Sequence, residues 1–195
     1  GLSRDLEWRI ADRANNDDDN YYHCKAISKP PQVFPAGACS HCVSGHRARA
    51  FDLTLRARHL RATSGREEIQ EARQLLERAI KDDPSFVPAH LALYGVMNQF
   101  FINRWNADFN SPATAQTMLD IASKATALAP SDALARATYA ESLTLVGQHS
   151  QAVTQINSVI NNATADTDVL RIGATILGRS GEFERSVGLM KRVLE

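Results

Sequence analysis

Two glycines near the end of the chain, Gly147 and Gly181, lie 34 residues apart, and the residues that follow them correspond in step. A small residue stands five positions after each glycine, and apolar residues stand nine and twelve positions after it. These residues are Ala152, Ile156 and Val159 after the first glycine, and Ser186, Met190 and Val193 after the second. Helical spacing inside a 34-residue period is typical of solenoids built from helix–turn–helix repeats. The period therefore predicts the fold of most of the chain.

Composition fits such an array and excludes several other classes of protein. The 195 residues are enough for about four to five repeats, and 44% hydrophobic residues suffice for a packed core. The net charge of zero argues against nucleic-acid binding, and no stretch approaches the roughly 18 apolar residues of a membrane helix. Three cysteines cannot all pair within the chain, which favours a reducing compartment. We therefore expect a cytoplasmic protein that binds neither nucleic acid nor membrane.

The character of the sequence changes near residue 50. Residues 1–14 have the spacing of a short amphipathic helix, whereas the prolines of residues 30–35 exclude regular helix there. Long helical patterns begin at Ala50 and continue to the end of the chain. We predict two regions: an irregular N-terminal segment or linker with a short helix, residues 1–49, and a helical repeat domain, residues 50–195.

Prolines divide the repeat domain into helix pairs. Pro84 and Pro130 each end the second helix of a pair, since proline lacks the amide donor and restrains the residue before it. They lie 46 residues apart, which is 12 more than the period, and we expect the excess in the polar loop 103–111. The third pair is predicted over 132–160 and the fourth over 168–194.

Ala72, Leu76 and Ala79 follow one another at helical spacing and Pro84 ends their helix; with this pattern the chain resembles a tetratricopeptide repeat (TPR) protein over residues 50–195. That family's pattern is a small residue, a bulky apolar residue one turn later, a second small residue and a terminal proline. Ala72, Leu76, Ala79 and Pro84 match it well; Met118, Ala122, Ala125 and Pro130 match in the last two positions; Ala152, Ile156, Val159 and Thr164 lack the proline. Small residues let neighbouring helices approach closely. The resemblance implies an all-α, TPR-like right-handed superhelix of about four helix–turn–helix repeats.

A narrower resemblance concerns the first helix pair. Residues 50–58 and 71–80, followed by a proline-terminated helix, are similar to repeats in certain bacterial regulators. In those proteins the repeats follow an adenylate/guanylate cyclase domain or a winged-helix DNA-binding domain, and residues 1–49 resemble neither domain in complete form. The resemblance implies the TPR module of a larger bacterial regulatory or signalling protein, which binds a peptide or a partner domain. Another domain of the same full-length protein is one candidate partner.

In TPR proteins the first helices line the concave face, and this register implies a set of partner-binding candidates. They are Leu91, Gly95, Asn98 and Gln99, then Ala137, Thr138, Glu141, Thr144 and Leu145, and finally Arg171, Ile172, Thr175 and Arg179. Such side chains can hydrogen-bond an extended peptide or a helix, and the alternative is a solvated face without a ligand. The family's chaperone-binding members grip a peptide carboxylate with Lys, Asn and Arg. Ala137 and Glu141 stand where such residues are wanted, which argues against that ligand.

One group of residues outside the repeats has metal-binding chemistry. Cys24, Cys39, Cys42 and His46 supply a Cys-x-x-Cys half-site and two further ligands of the kind that zinc prefers. Their spacing matches no common zinc finger, so free or oxidised thiols are favoured and we expect no bound metal and no cofactor. The alternative function is a zinc- or thiol-based sensor that uses these four residues, with the repeats as relay.

The sequence contains no phosphate-binding glycine loop, no G-x-S-x-G elbow and no H-E-x-x-H helix, so we predict a scaffold and not an enzyme. The last predicted helix has an apolar stripe that no following helix covers. Its residues are Phe183, Val187, Met190 and Leu194. An uncovered stripe predicts either another repeat in the native protein or a homodimer through the last repeat.

Overall fold

A computed structural model describes residues 45–63, 65–105, 111–161 and 166–194. Within these ranges the chain forms eight α-helices and no strand. The helices are α1 (Gly45–Thr63), α2 (Arg66–Asp82), α3 (Val87–Asn103), α4 (Pro112–Leu128), α5 (Ala133–Leu145), α6 (His149–Ile160), α7 (Thr167–Arg179) and α8 (Phe183–Leu194). The expected all-α class is confirmed. Helix α1 begins at Gly45, inside the segment that we expected to be irregular.

The helices pack in chain order, and alternate helices also touch. Each helix from α2 to α8 contacts the next, and α3 contacts α5 as α5 contacts α7. Helix α1 joins the array through Ala50, Leu53 and Ala57, which lie in one apolar cluster with residues of α2 and α3. This is the contact pattern of stacked helix pairs, so the described residues have a TPR-like fold.

Small residues lie where neighbouring helices come closest. Ala72, Ala79, Ala122, Ala125 and Ala152 are all fully buried, as the pattern of the second helices predicts. A methyl side chain lets two helix backbones approach within about 8–10 Å, and the larger residues one turn away fill the remaining space. The alternation of alanine with Leu, Met or Ile is therefore a packing requirement of the stack.

The two glycines of the 34-residue period form the same turn. Gly147 and Gly181 have φ of 79° and 85°, in the left-handed region where a β-carbon is strained. In each case the amide two residues after the helix cap bonds to a carbonyl five residues earlier: Gln148 to Leu143 at 2.9 Å and Glu182 to Leu177 at 2.9 Å. This is the Schellman arrangement, which ends one helix and directs the chain into the next.

The connections between pairs also repeat. The residues that precede Pro84 and Pro130 cap their helices with φ of −137° and −139°, and an amide three residues later bonds back to the carbonyl of each cap. Those bonds run from Phe86 to Asp83 at 3.1 Å and from Asp132 to Ala129 at 3.1 Å. The next helix then starts, with the Asp132 carboxylate accepting hydrogen bonds from two amides of its first turn.

The second pair is longer than the others in its helices as well as in its loop. Helices α3 and α4 have 17 residues each, against 13 and 12 in α5 and α6. The prediction that the loop 103–111 holds the excess is therefore wrong in part. Helix α3 continues because its last turns are apolar, with Phe100 buried against Trp105 at a ring-centroid distance of 5.8 Å. It ends at Arg104, whose φ of 51° is left-handed.

The buried apolar residues form two clusters. The first contains residues of α1 to α4, and the second contains residues of α5 to α8. Tyr139, which is partly buried, packs against both. The Thr126 hydroxyl adds a link, because it donates to the Ala135 carbonyl across the α4–α5 connection at 3.0 Å. The core is thus divided between the second and third pairs.

Candidate functional site

The first helices of the four pairs present one shared surface, which we call the first-helix face. It comprises the outward residues of α1, α3, α5 and α7, and among these helices α5 contacts both α3 and α7. Helix α1 reaches this surface through Arg61, whose guanidinium lies over the Gly95 backbone of α3, in the space where a β-carbon would stand. Gly95 is therefore needed for the present position of this arginine.

Two ionisable side chains are buried at the centre of the first-helix face. Tyr94 on α3 and Glu141 on α5 are each only 4% exposed. Burial raises the pKa of the Tyr94 phenol well above its usual range, and the charge and weak hydrogen bonding of the Glu141 carboxylate raise it further. The two side chains are therefore neighbours. The Tyr94 hydroxyl and the Glu141 carboxylate do not reach full hydrogen-bond geometry, and no other group in the described part of the chain hydrogen-bonds to the hydroxyl.

The Glu141 carboxyl is a buried acid without a close counter-ion. Burial raises its pKa, while Arg179 and Arg171 act in the opposite direction through their charge. Neither arginine forms an ion pair with it among the described residues. Isolated buried carboxylates are costly, since the protein interior solvates them poorly. Burial therefore favours the protonated form of Glu141, which can donate or accept a hydrogen bond.

Two further buried oxygens on α3 lack partners. The side-chain oxygens of Asn98 and Gln99 make no hydrogen bond within the described residues. Asn98 lies four positions after Tyr94, which places the two side chains on the same side of the helix. Buried polar atoms are nearly always paired, and each unpaired one costs about 1–3 kcal/mol. The three atoms lie within two turns of one helix.

Arginines surround this buried group. Arg179 is exposed and donates to the Thr144 hydroxyl at 3.3 Å, and Arg171 pairs with Asp168 at 3.3 Å. Burial lowers the pKa of Arg61, and Asp168 partly restores it while Arg171 lowers it further. The charges of Asp168 and Arg171 on α7 thus act on Arg61 of α1. Arginine side chains thus lie around the buried pair Tyr94 and Glu141.

The structure places the predicted partner-binding residues at different depths. Arg171 and Arg179 are exposed; Leu91, Gly95, Asn98, Gln99, Leu145 and Thr175 are partly buried; Ala137, Thr138, Glu141, Thr144 and Ile172 are buried. Ala137 and Ile172 belong to the second apolar cluster, and Tyr94 belongs to the first. The role of the predicted residues in partner binding stays a prediction.

Tyr94 and Arg61 were absent from the predicted set. Tyr94 occupies a position where the family places packing residues, and only its missing hydrogen bond separates it from an ordinary core tyrosine. Arg61 reaches the surface with a long side chain from the end of α1. The sequence signal for Arg61 is Gly95, because a glycine inside a helix leaves room for a long side chain from a neighbouring helix.

The predicted zinc ligands Cys24, Cys39 and Cys42 lie outside the described residues. His46 is exposed near the start of α1, and no group of three metal-binding side chains occurs within the described ranges. The metal-sensor alternative stays a prediction.

No helix in the described ranges is long and apolar enough to cross a bilayer.

Comparison with known proteins finds likenesses among solved structures. No family model matches the sequence, and no curated protein does. Among solved structures, the chain is similar to a thermophilic TPR protein of Thermus thermophilus, with 11% sequence identity and a TM-score of 0.48. The likeness covers 74% of this chain and 90% of that one. The description of the fold therefore rests on the helices, turns and buried alanines of this chain.

Proposed function

We propose that the first-helix face binds a segment of a partner protein, as an extended peptide or as part of a domain, and that the chain acts as a scaffold without catalysis. The observation that carries the proposal is the Tyr94 hydroxyl, which is buried beside the equally buried Glu141 and makes no full hydrogen bond within the described residues. A partner that supplies the missing hydrogen bond removes a cost already present in the free protein.

The chemistry of the surface limits the partner. Arg61, Arg171 and Arg179 favour a segment that carries acidic or carbonyl groups, because guanidinium groups bind them through several parallel hydrogen bonds. At the centre, the Tyr94 phenol can donate a hydrogen bond to a backbone carbonyl, as can the Glu141 carboxyl in its protonated form. The segment therefore places backbone oxygens over the centre and polar or acidic side chains toward the arginines.

The wider setting belongs to the same proposal. The resemblance of residues 50–58 and 71–80 to repeats of bacterial regulators supports a cytoplasmic, bacterial regulatory or signalling protein as the origin of this chain. In that setting the bound segment is either a separate protein or another domain of the same protein. Both are expected to meet the same first-helix face.

Selection from a phage-displayed library of random peptides tests the proposal. We expect peptides that bind the wild type and lose about fivefold in affinity on Tyr94→Phe, because one hydrogen bond is worth about 1 kcal/mol. The same change should leave the free protein as stable as the wild type or more so, since the lost hydroxyl made no full hydrogen bond. Tyr139→Phe, in the same class of helix but between the two clusters, is the matched control and should leave affinity unchanged.

A double variant gives the refuting result. Arg171→Glu together with Arg179→Glu reverses the charge around the centre at two exposed positions, so the fold should persist. If the same peptides are recovered on this variant, or if Tyr94→Phe binds them as tightly as the wild type, the first-helix face is not the binding surface. Circular dichroism of each variant confirms that the helices are retained.

A further inference from the structure

The last helix, α8, has one covered and one uncovered side. Leu189 is buried, Val193 is partly buried, and the Ser186 hydroxyl donates to the Ala174 carbonyl of α7 at 2.7 Å. These residues fix the side that packs on α7. Another stripe of α8 has no neighbour in the described part of the chain.

The uncovered stripe is apolar over the full length of the helix. Its members are Phe183, Val187, Met190 and Leu194, which are 68%, 54%, 41% and 84% exposed. Their spacing of four, three and four residues keeps them on one side of the helix. Contiguous exposed apolar surface of this kind marks an interaction site more often than an ordinary surface. The stripe is separate from the first-helix face, so it concerns a second interaction.

Two opposite charges lie on one flank of this stripe. Glu184 and Lys191 are seven residues apart, which is close to two helical turns, so they stand on the same flank near opposite ends. Neither forms an ion pair with another residue of the described ranges. Arg192, the next residue, is turned about 100° further round the helix and points away from the stripe.

We propose that the stripe of α8 pairs with the same stripe of a second copy of this chain, with the two helices antiparallel about a two-fold axis. In that arrangement Phe183 lies opposite Leu194 of the second copy, and Val187 lies opposite Met190. The two-fold axis brings the charged flanks to the same side, so Glu184 of each copy meets Lys191 of the other. A parallel pair puts these flanks on opposite sides and leaves all four charges unpaired. Because the charge pattern of the stripe is complementary to itself, a second copy of this chain is the partner that fits it.

The size of the stripe sets the strength of the dimer. A pair of twelve-residue helices buries less than the roughly 800 Å² per partner of a stable complex. The dimer is therefore weak and depends on concentration, and the two ion pairs contribute to its specificity more than to its affinity.

Analytical ultracentrifugation over a range of concentrations tests the proposal. We expect the wild type to pass from monomer to dimer, and Val187→Glu to remain monomeric because it places a charge in the centre of the stripe. Glu184→Lys alone, or Lys191→Glu alone, turns two attractive contacts into two repulsive ones and should weaken the homodimer about tenfold. Arg192→Glu makes the same charge change one residue away and should leave the dimer intact.

Mixing gives the decisive measurement. An equimolar mixture of the Glu184→Lys and Lys191→Glu proteins restores two attractive contacts in the heterodimer alone, so we expect association to recover, and to recover less in high salt. Fluorescent labels of different colour on the two proteins report the heterodimer directly. A wild type that stays monomeric at every concentration overturns the proposal, and a mixture that associates no better than its components overturns the antiparallel register. Tyr94→Phe should not affect any of these results, so failure here is distinct from failure of the proposed partner binding.

Discussion

Replacing Glu141 with glutamine isolates the cost of the buried carboxyl at the centre of the first-helix face. Glutamine keeps the shape of the side chain and its capacity to hydrogen-bond, but it cannot ionise. Because burial raises the pKa of Glu141, the folded protein retains this proton at pH values where the unfolded chain has released it. The wild type therefore loses stability as the pH rises, and the variant does not share that loss.

The sign and the range follow from the two states. Below the unfolded pKa of about 4.3, the carboxyl is neutral in both states and costs nothing. As the pH rises from that value through the raised pKa of the folded state, the free energy of unfolding of the wild type falls. A buried polar group without a full set of partners costs about 1–3 kcal/mol, and attraction to Arg179 and Arg171 recovers part of it. We expect Glu141→Gln to be more stable by about 1–2 kcal/mol at pH 8, which corresponds to about 2–8 °C in melting temperature.

Urea unfolding followed by circular dichroism at about pH 4 and about pH 8 measures the difference. The gain should be present at the higher pH and close to zero at the lower one. Glu71→Gln, on the exposed side of α2, removes an equal charge and should change stability by less than about 0.5 kcal/mol at either pH. A glutamine variant that is less stable than the wild type at pH 8, or equally stabilised at both pH values, would refute this account of the site.

Three further predictions concern the array. Gly181→Ala should cost about 1 kcal/mol because φ is left-handed, whereas Gly188→Ala, inside α8 with open space around it, should gain about 0.5–1 kcal/mol; equal effects in urea unfolding would contradict this. Asp132→Ala removes the cap of α5 and should lower the unfolding free energy by about 1 kcal/mol, so an unchanged urea midpoint would show the cap to be dispensable. Ala122→Leu should destabilise by about 1–3 kcal/mol through overpacking, while Ala127→Leu at an exposed position should not; thermal melts of both variants decide.

Local rules were sufficient to predict most of the fold. The turns at Gly147 and Gly181 depend only on glycine's access to positive φ, and the connection after Asp83 depends on proline, so both can be read from a few consecutive residues. The extra length of the second pair is shared between its helices and its loop, and the end of α3 is continued by packing of Phe100 with Trp105, a contact that has no sequence period.

The candidate site was harder to predict from the sequence than the fold. Asn98 and Glu141 were predicted from the register of the first helices, and both lie in or beside the buried centre. The same register included Ala137, which packs inward. Sequence spacing gives the direction of a side chain around the helix but does not give its burial. Tyr94 was missed since an unpaired hydroxyl is a property of its surroundings and not of its position.

The division of the core between α4 and α5 has a consequence for folding cooperativity. In a linear stack each unit is stabilised by its neighbours, and regions that hold different apolar clusters can open at different rates. Tyr94 lies in the first cluster and Glu141 lies on α5, so a segment bound across both adds contacts between the two regions. The binding free energy then opposes local unfolding of both regions. We expect the amide exchange rates of α2 and α7 to differ in the free protein and to become similar in the complex. Binding of the segment would thus increase the cooperativity of unfolding along the helical array.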